Sequence, residues 1–264
     1  MQGYGQPPPV RIAATGDLHL RGAIEADAIP GLSDINQCAD LLIVAGDLTE
    51  NGRLAEASAF IELFGHVRIP VIAVLGNHDL RSLRRTAFRR MLERSGIEVL
   101  DGAATTVQLP NGTVAGIAGA TGCGGGFWPL EGPDAVHSRA FKMLALRSER
   151  ESQALERSLV GLNADVLIAA THYAPTATTL GSEPLAKYWM LGNSELGAVV
   201  DRRLPDLVIH GHAHLGTLKG RTPGGVPVRN VALPVIGRIY LELLDVPSAN
   251  RSVASEFQTT PRFG

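Results

Sequence analysis

Aspartate, histidine and asparagine recur in this chain in short polar blocks, each following a run of apolar residues. Asp17 and His19 follow the first run, Asp47 the second, and Asn77, His78 and Asp79 the third. His172 follows the fourth, and His212 and His214 the fifth. Together they offer imidazole nitrogens with carboxylate and amide oxygens, a donor mixture that suits Mn, Fe, Co, Ni or Zn rather than calcium or a thiolate-bound structural zinc. One block alone reads equally well as a turn cap or a solvent-facing strand end. Five blocks of the same composition are better explained by one shared centre than by five unrelated turns. Gly16, Gly46, Gly76 and Gly211 precede or flank the blocks. Lacking a Cβ, they permit sharp turns and close backbone approach, so the neighbouring side chain can point back at that centre.

The elements that must carry these residues can be read from periodicity. "VRIAATGD", "LLIVAGD", "VIAVLGNHD", "VLIAATHY" and "LVIHGHAH" are short apolar runs of the kind that form buried strands. Between the second and third, "RLAEASAFIELFG" places Leu54, Ala57, Phe60, Ile61 and Phe64 on one helical face and stops at Gly65, completing a β-α-β unit. "RSLRRTAFRRMLERSG" reads as a further helix ending at Gly96, and "SRAFKMLALRSERESQALERSLVGL" as a long one before the fourth strand. The middle, "IEVLDGAATTVQLPNGTVAGIAGA", is strand-like and hinged at Asn111-Gly112, a dipeptide suited to a tight hairpin. A second, more antiparallel sheet is expected to begin there. The turn-punctuated stretch from Gly216 to Val246 is also strand-like, so the expected architecture is two β layers covered by helices. In open α/β sheets ligands gather beyond the carboxyl ends of strands, where the polar blocks fall.

Composition bounds the reading further. The chain has 264 residues, 45% of them apolar, enough for a substantial core. A single domain over 10–246 is expected, with a disordered lead-in over 1–9 and a polar tail over 247–264. With 24 basic and 26 acidic residues the net charge is −2, so whole-chain charge predicts no preference for nucleic acid or membranes. Cys38 and Cys123 have no CxxC spacing, which argues against a disulfide framework. The N-terminal stretch lacks the pattern of a signal peptide, and no apolar run is long enough to span a bilayer. A reduced, cytoplasmic protein is expected.

Asp17-Leu-His19, Gly46-Asp47, Gly76-Asn77-His78-Asp79, His172 and Gly211-His212-Ala213-His214 resemble, in order and rough spacing, the motif set of the calcineurin-like metallophosphoesterases. The likeness runs from about Val10 to Leu215. It implies an α/β fold, a four-layered α/β/β/α sandwich, with a two-metal site between its sheets. By the same resemblance Asp17, His19, Asp47 and His214 hold one divalent transition metal, and Asp47, Asn77, His172 and His212 the other. Manganese is the first choice for the pair, with Fe, Zn, Co or Ni as alternatives. His78 would contact the substrate phosphate and protonate the leaving group, and Asp79 would orient it. The implied activity is hydrolysis of a phosphoester by a hydroxide bridging the metals. Diesters are favoured over monoesters because no second cluster of basic residues is evident to meet a dianion. Two other readings stand beside this one: a nuclease or cyclic-nucleotide phosphodiesterase, and a non-catalytic scaffold of the same fold.

Several features are left outside the site. His66 and His137 have no partner motif. "GATGCGGGFW", residues 119 to 128, lacks the GK[ST] ending of a P-loop and is expected to be a tightly turned loop. Together with residues 173–196 it resembles segments of a subset of small family members. Tyr173, Lys187, Tyr188 and Trp189 are placed by His172 either near the mouth of the site or in an oligomer contact or local aromatic cluster. Arg81, Arg85 and Arg89 stand at i, i+4 spacing. Such a stripe can follow a nucleic-acid backbone, but a solvated helix face is the preferred reading. The oligomeric state is left open.

Overall fold

A computed structural model describes residues 8–131 and 138–246. The expected lead-in lies largely outside these residues, as do the tail from Pro247 and His137. Thirteen strands and seven α-helices occur among the described residues. The strands are β1 (Val10–Thr15), β2 (Leu41–Ala45), β3 (Val71–Val74), β4 (Ile97–Leu100), β5 (Ala103–Gln108), β6 (Val114–Ala120), β7 (Gly126–Phe127), β8 (Leu130–Glu131), β9 (Val166–Thr171), β10 (Leu207–His210), β11 (Lys219–Arg221), β12 (Pro227–Asn230) and β13 (Tyr240–Leu244). The helices are α1 (Ile35–Cys38), α2 (Leu54–Leu63), α3 (Arg85–Arg94), α4 (Arg139–Leu159), α5 (Tyr188–Leu191), α6 (Ser194–Arg203) and α7 (Leu233–Ile236).

The strands form two large sheets, ordered β13-β1-β2-β3-β4 and β11-β12-β10-β9-β6-β5. In the first, β1 to β4 run parallel and only β13 is antiparallel, clasped along β1. In the second, β6, β9, β10 and β12 run parallel, and antiparallel strands occupy the two edges. The second sheet therefore differs from the expected one in two ways. Ile97–Leu100 closes the first sheet by pairing with β3, and antiparallel pairing is confined to the edges. The hairpin at Asn111-Gly112 forms as expected, with Gly112 at φ 85° and its N–H on the Leu109 carbonyl.

The apolar runs divide by alternate residues into three layers of core. Ile12, Leu41, Ile43 and Ile72 of the first sheet meet Ile117, Val166, Ile168 and Ile209 of the second. Leu42, Val44 and Ala73 face the other way, against Ala57 and Phe60 of α2 and Phe88 and Leu92 of α3. On the far side Leu167, Ala169 and Val208 meet Leu155 of α4 and Val199 of α6. Strands buried on both faces carry no polar alternation, which is why they read as continuous apolar runs. This is the four-layered α/β/β/α sandwich. No helix among the described residues is long and apolar enough to cross a membrane.

Candidate metal centre

The carboxyl ends of β1, β2 and β3 meet those of β9 and β10 at one edge of the sandwich, and the backbone there is bent to an unusual degree. Five non-glycine residues have positive φ among those described, and four are candidate ligands: Asp17 at 56°, His19 at 46°, Asp47 at 49° and His212 at 68°. A left-handed conformation costs an L-residue about 1–2 kcal/mol, so each must be held by its surroundings. The Asp17 N–H donates to the Gly46 carbonyl at 2.9 Å and the His19 N–H to the Asp47 carbonyl at 3.0 Å. The His212 N–H donates to Asp17 Oδ2 at 2.8 Å, and the His78 N–H to Asp47 Oδ1 at 2.8 Å. Two glycines are needed for contact rather than for style of turn. A Cβ on Gly76 would lie 2.0 Å from Asp47 Oδ1, and one on Gly46 would lie 2.6 Å from the His172 ring.

Seven of the nine residues singled out from the sequence converge here as possible ligands, in two groups. Asp17, His19 and His214 form one group and Asp47, His172 and His212 a second, while His19 also forms a third with Glu50 and His78. Asn77 joins the second through Oδ1, 3.0 Å from His172 Nε2. Asp47 stands between the groups, with Oδ2 3.6 Å from His19 Nε2 and 3.4 Å from His172 Nε2. His172 Nδ1 donates to the Ala45 carbonyl at 2.9 Å, which directs Nε2 at the oxygens of Asn77 and Asp47. That is the orientation in which a protein-held imidazole presents a lone pair to a metal. His214 Nε2 lies 2.9 Å from Asp17 Oδ1.

The electrostatics of the bare side chains show how strongly these groups are coupled. Burial pushes Asp47 up, but the charge and hydrogen bond of His172, with the His78 N–H, outweigh it and hold the carboxyl well below its usual range. Burial pushes His172 down, and the opposing pull of Asp47 wins, raising it to about 9. His212 is lowered to about 3 by burial and by the neighbouring His172. His19 is lowered by burial, whereas its hydrogen bond to Asp17 raises His214. The site is thus one carboxylate–imidazolium pair beside two imidazoles, His19 and His212, that resist protonation, and free nitrogen lone pairs are what a divalent ion requires. His19 supplies the test of fit: both its ring nitrogens are buried without a hydrogen-bond partner. Leaving a buried polar atom unsatisfied costs about 1–3 kcal/mol, and a metal ligated by nitrogen and oxygen removes that cost. The donor set therefore fits metal ions.

His78 and Asp79 take different places from each other. His78 packs edge-on against His19, with ring centroids 4.4 Å apart. Its Nδ1 donates to the Glu50 carbonyl at 2.9 Å, and its Nε2 accepts from Arg81 Nη2 at 2.7 Å. Asp79, expected to orient His78, does not reach its ring. The intervening turn (Asp79–Arg81, a single 3₁₀ turn) sends the Asp79 carboxylate inward, where it accepts from the N–H groups of Leu48, Thr49 and Gly76 and from Thr49 Oγ1. It ties the loop after β2 to the loop after β3, and burial together with the Asp47 charge raises it to about 6. The carboxylate beside His78 is Glu50, with Oε1 3.5 Å from His78 Nδ1 and Oε2 3.3 Å from His19 Nδ1. Glu50 and Arg81 were missed in the sequence. The available signal was an acid three residues after Asp47.

The arginine stripe does not form as a stripe. Arg81 lies in the 3₁₀ turn and is drawn to His78 and Glu50, α3 begins only at Arg85, and Arg89 bonds Glu93 and the Val99 carbonyl. Instead Arg85, Arg89 and Arg147 line one cavity. This corrects the expectation that no second basic cluster exists, which failed because Arg147 comes from the distant α4. The glycine-rich loop is tightly turned, as expected, and is zipped to residues 189–193: Gly125 N–H donates to the Trp189 carbonyl at 2.7 Å and Gly126 N–H to the Gly192 carbonyl at 2.9 Å. This strap sets the Met190 carbonyl 3.2 Å from His212 Nε2. Tyr173 stacks on His212 with centroids 4.3 Å apart, while Trp189 packs on Phe141. His66 bonds the Leu32 carbonyl, away from the site.

A family model described as calcineurin-like phosphoesterase matches residues 10–216. The chain belongs to that family. Members so described are hydrolases, and the His/Asp groups of this calcineurin-like phosphoesterase could hold metals. Among solved structures it is similar to a phosphopantetheinyl hydrolase from Mycobacterium tuberculosis, at 17% identity and a TM-score of 0.59 over 86% of this chain and 90% of that one. It is also similar to a hypothetical protein from Thermus thermophilus, at 17% identity and a TM-score of 0.50 over 84% of this chain and 75% of the other. At these identities the likeness is one of fold. No curated protein matches the sequence.

Proposed function

We propose that this calcineurin-like phosphoesterase is a metal-dependent phosphodiesterase with a dinuclear centre. The observation that carries the reading is His19, buried with two unpartnered nitrogens between Asp17, Asp47 and His214. Asp17, His19, Asp47 and His214 would hold one ion and Asp47, Asn77, His172 and His212 the other, with Asp47 shared. When bound, the pair would polarise the phosphoryl oxygens and make water a usable nucleophile at neutral pH. Manganese is the first choice for it.

The protein's own groups do the rest. The carbonyls of Ala45 and Met190 face the rings of His172 and His212 and fix which nitrogen points into the site. Glu50 and its carbonyl hold the His78 ring through Nδ1; Nε2, which accepts from Arg81, would exchange that bond and take up a proton before giving one to a departing oxygen. The Glu50 carboxylate also lies 3.6 Å from Arg81 and 3.7 Å from Arg21 and offsets one of these two charges. The positive charge left beside His78 is that of one guanidinium, which matches a singly charged diester.

The test is to strip the protein with chelator and follow hydrolysis of bis-nitrophenyl phosphate and nitrophenyl phosphate as Mn is returned. Diester turnover that saturates at two ions per chain supports the reading. Two bound ions with no turnover on either ester, with Mn, Fe, Co, Ni or Zn, would favour a scaffold. For His78, replacement by alanine is expected to cost more rate on an alkyl ester than on a nitrophenyl ester, whose leaving group needs less protonation.

A further inference from the structure

We propose that the cavity walled by Arg85, Arg89 and Arg147 binds a second phosphoryl group of the substrate, one that is not cleaved. This rests on the phosphoesterase reading above. The cavity measures about 500 Å³. Its floor adjoins the metal centre through the loop after β3: Leu75 and Leu80, which bracket the Gly76–Asp79 motif, both line it, as does Asp101 just after β4. It sits at the same carboxyl edge as the ligands, since β2, β3 and β4 are successive parallel strands. Asp47 follows β2 and Asp101 follows β4, so the two are separated by two strand spacings, about 10 Å. A substrate held by the metals can reach across that distance with a second group.

The charge of the cavity determines what that group is. Arg89 is fully compensated, by Glu93 at 2.7 Å and Asp101 at 3.7 Å, so the anion would be held by Arg85 and Arg147. Arg85 and Arg147 have no ion pair among the described residues. Glu151, the other acid on the wall, accepts from the Gly122 N–H at 3.1 Å, and burial holds its carboxyl above the usual range despite the charge of Arg147. Two guanidinium groups from different helices thus face one space without a salt-bridged carboxylate of their own. The third contribution is α3 itself. Its first turn contains no acidic residue and has no side-chain cap, and Arg85 and Thr86 of that turn line the cavity. Leading N–H groups of a helix have no intrahelical partner and carry partial positive charge. Arginines in a first turn are unfavourable unless an anion offsets them. A phosphoryl group, with three acceptor oxygens, can accept from guanidinium groups and helix N–H groups together.

The proposal is tested with two diesters that differ only in the distal group: thymidine 5′-(4-nitrophenyl phosphate) and the same compound carrying a 3′-phosphate. In the metal-loaded protein, Arg85→Gln and Arg147→Gln are each expected to raise KM for the 3′-phosphorylated ester about tenfold or more, the usual consequence of losing one charge-assisted contact. kcat, and KM for the ester without the 3′-phosphate, should stay unchanged. Equal effects on both esters, or none on either, would overturn the proposal. Inorganic phosphate titrated into metal-stripped protein and followed by phosphorus NMR provides the independent arm. Saturable binding lost in the Arg85→Gln/Arg147→Gln double variant supports the cavity as an anion site even if neither ester is turned over, an outcome that would count against the hydrolase reading alone. Absence of such binding overturns it. Binding with unchanged KM for the 3′-phosphorylated ester would assign the cavity to a free anion and overturn the substrate assignment.

Discussion

The two halves of the metal centre are built on different principles. The group around Asp47 and His172 is deeply buried and completed by protein: His172 has no exposed surface, its nitrogens face Ala45, Asn77 and Asp47, and the pair carries opposite charges. The group around His19 is open on one side, with the His214 side chain 39% exposed, and His19 itself is unsatisfied. One half keeps its shape by internal pairing, while the other gains most from an added ion. A centre organised this way is preformed enough to be specific and open enough to load and exchange ligands.

The largest expected effect tests what joins the halves. Asp47→Asn should leave the chain folded and reduce metal-dependent hydrolysis at least roughly a thousandfold, because it removes the shared charge of both groups. Retained turnover at full metal occupancy would break the idea of a shared ligand. Next is the contrast in stability of the metal-free protein by urea unfolding. His172→Ala should cost about 3–5 kcal/mol, since it leaves Asp47 as a buried charge without its partner. His19→Ala should cost less than about 1 kcal/mol or be stabilising, because its two buried nitrogens make no hydrogen bond that would be lost. Equal losses would erase the distinction between the halves.

The pH dependence of thermal unfolding sharpens the same contrast. His172 is raised to about 9, so its contribution is full below its unfolded value near 6.5 and is lost as pH rises from there through 9. His210, buried against Thr179, is lowered to about 4, and His212 to about 3. Both oppose folding increasingly as pH falls below 6.5, since only the unfolded chain takes up their protons. His19, also lowered, acts in the same direction, while Asp79, raised to about 6, and Glu151, also raised, oppose it. Metal-stripped protein is therefore expected to be most stable near pH 6.5. Added metal should flatten the alkaline limb, because a ligated His172 no longer holds the proton. An alkaline limb that persists with metal bound would show that His172 is not a ligand. The smallest effect expected is for His66→Ala, about 0.5–1 kcal/mol from loss of its hydrogen bond to the Leu32 carbonyl and without change in metal affinity.

The candidate ligands were legible because the fold puts them where sequence is easiest to read. Each terminates a strand buried on both faces, so polar residues stand out against apolar runs, as Asp47 does after Leu41–Ala45. The same runs pointed to two β layers covered by helices, while the four-layered arrangement came from the family resemblance. Partners set by three-dimensional return were not legible. Glu50 meets His78 only because the loops after β2 and β3 lie side by side, and Arg147 meets Arg85 only through the docking of α4. Adjacency in sequence was misleading for His78 and Asp79, since consecutive residues of a tight turn point to different sides. Ile97–Leu100 looked like the start of a new sheet, yet its place at the edge of the first is decided by pairing with β3, which a strand pattern does not encode.

The antiparallel clasp of β13 on β1 has a consequence for how the chain is made. Val10–Thr15 emerges from the ribosome before its parallel neighbour β2, which follows soon after, but the strand that closes its other side lies much later, at Tyr240–Leu244. Throughout most of synthesis one flank of an apolar strand is an open template for pairing with other chains. Products of premature termination before Tyr240 are therefore expected to be cleared by aggregation or proteolysis rather than to accumulate as an inactive fold.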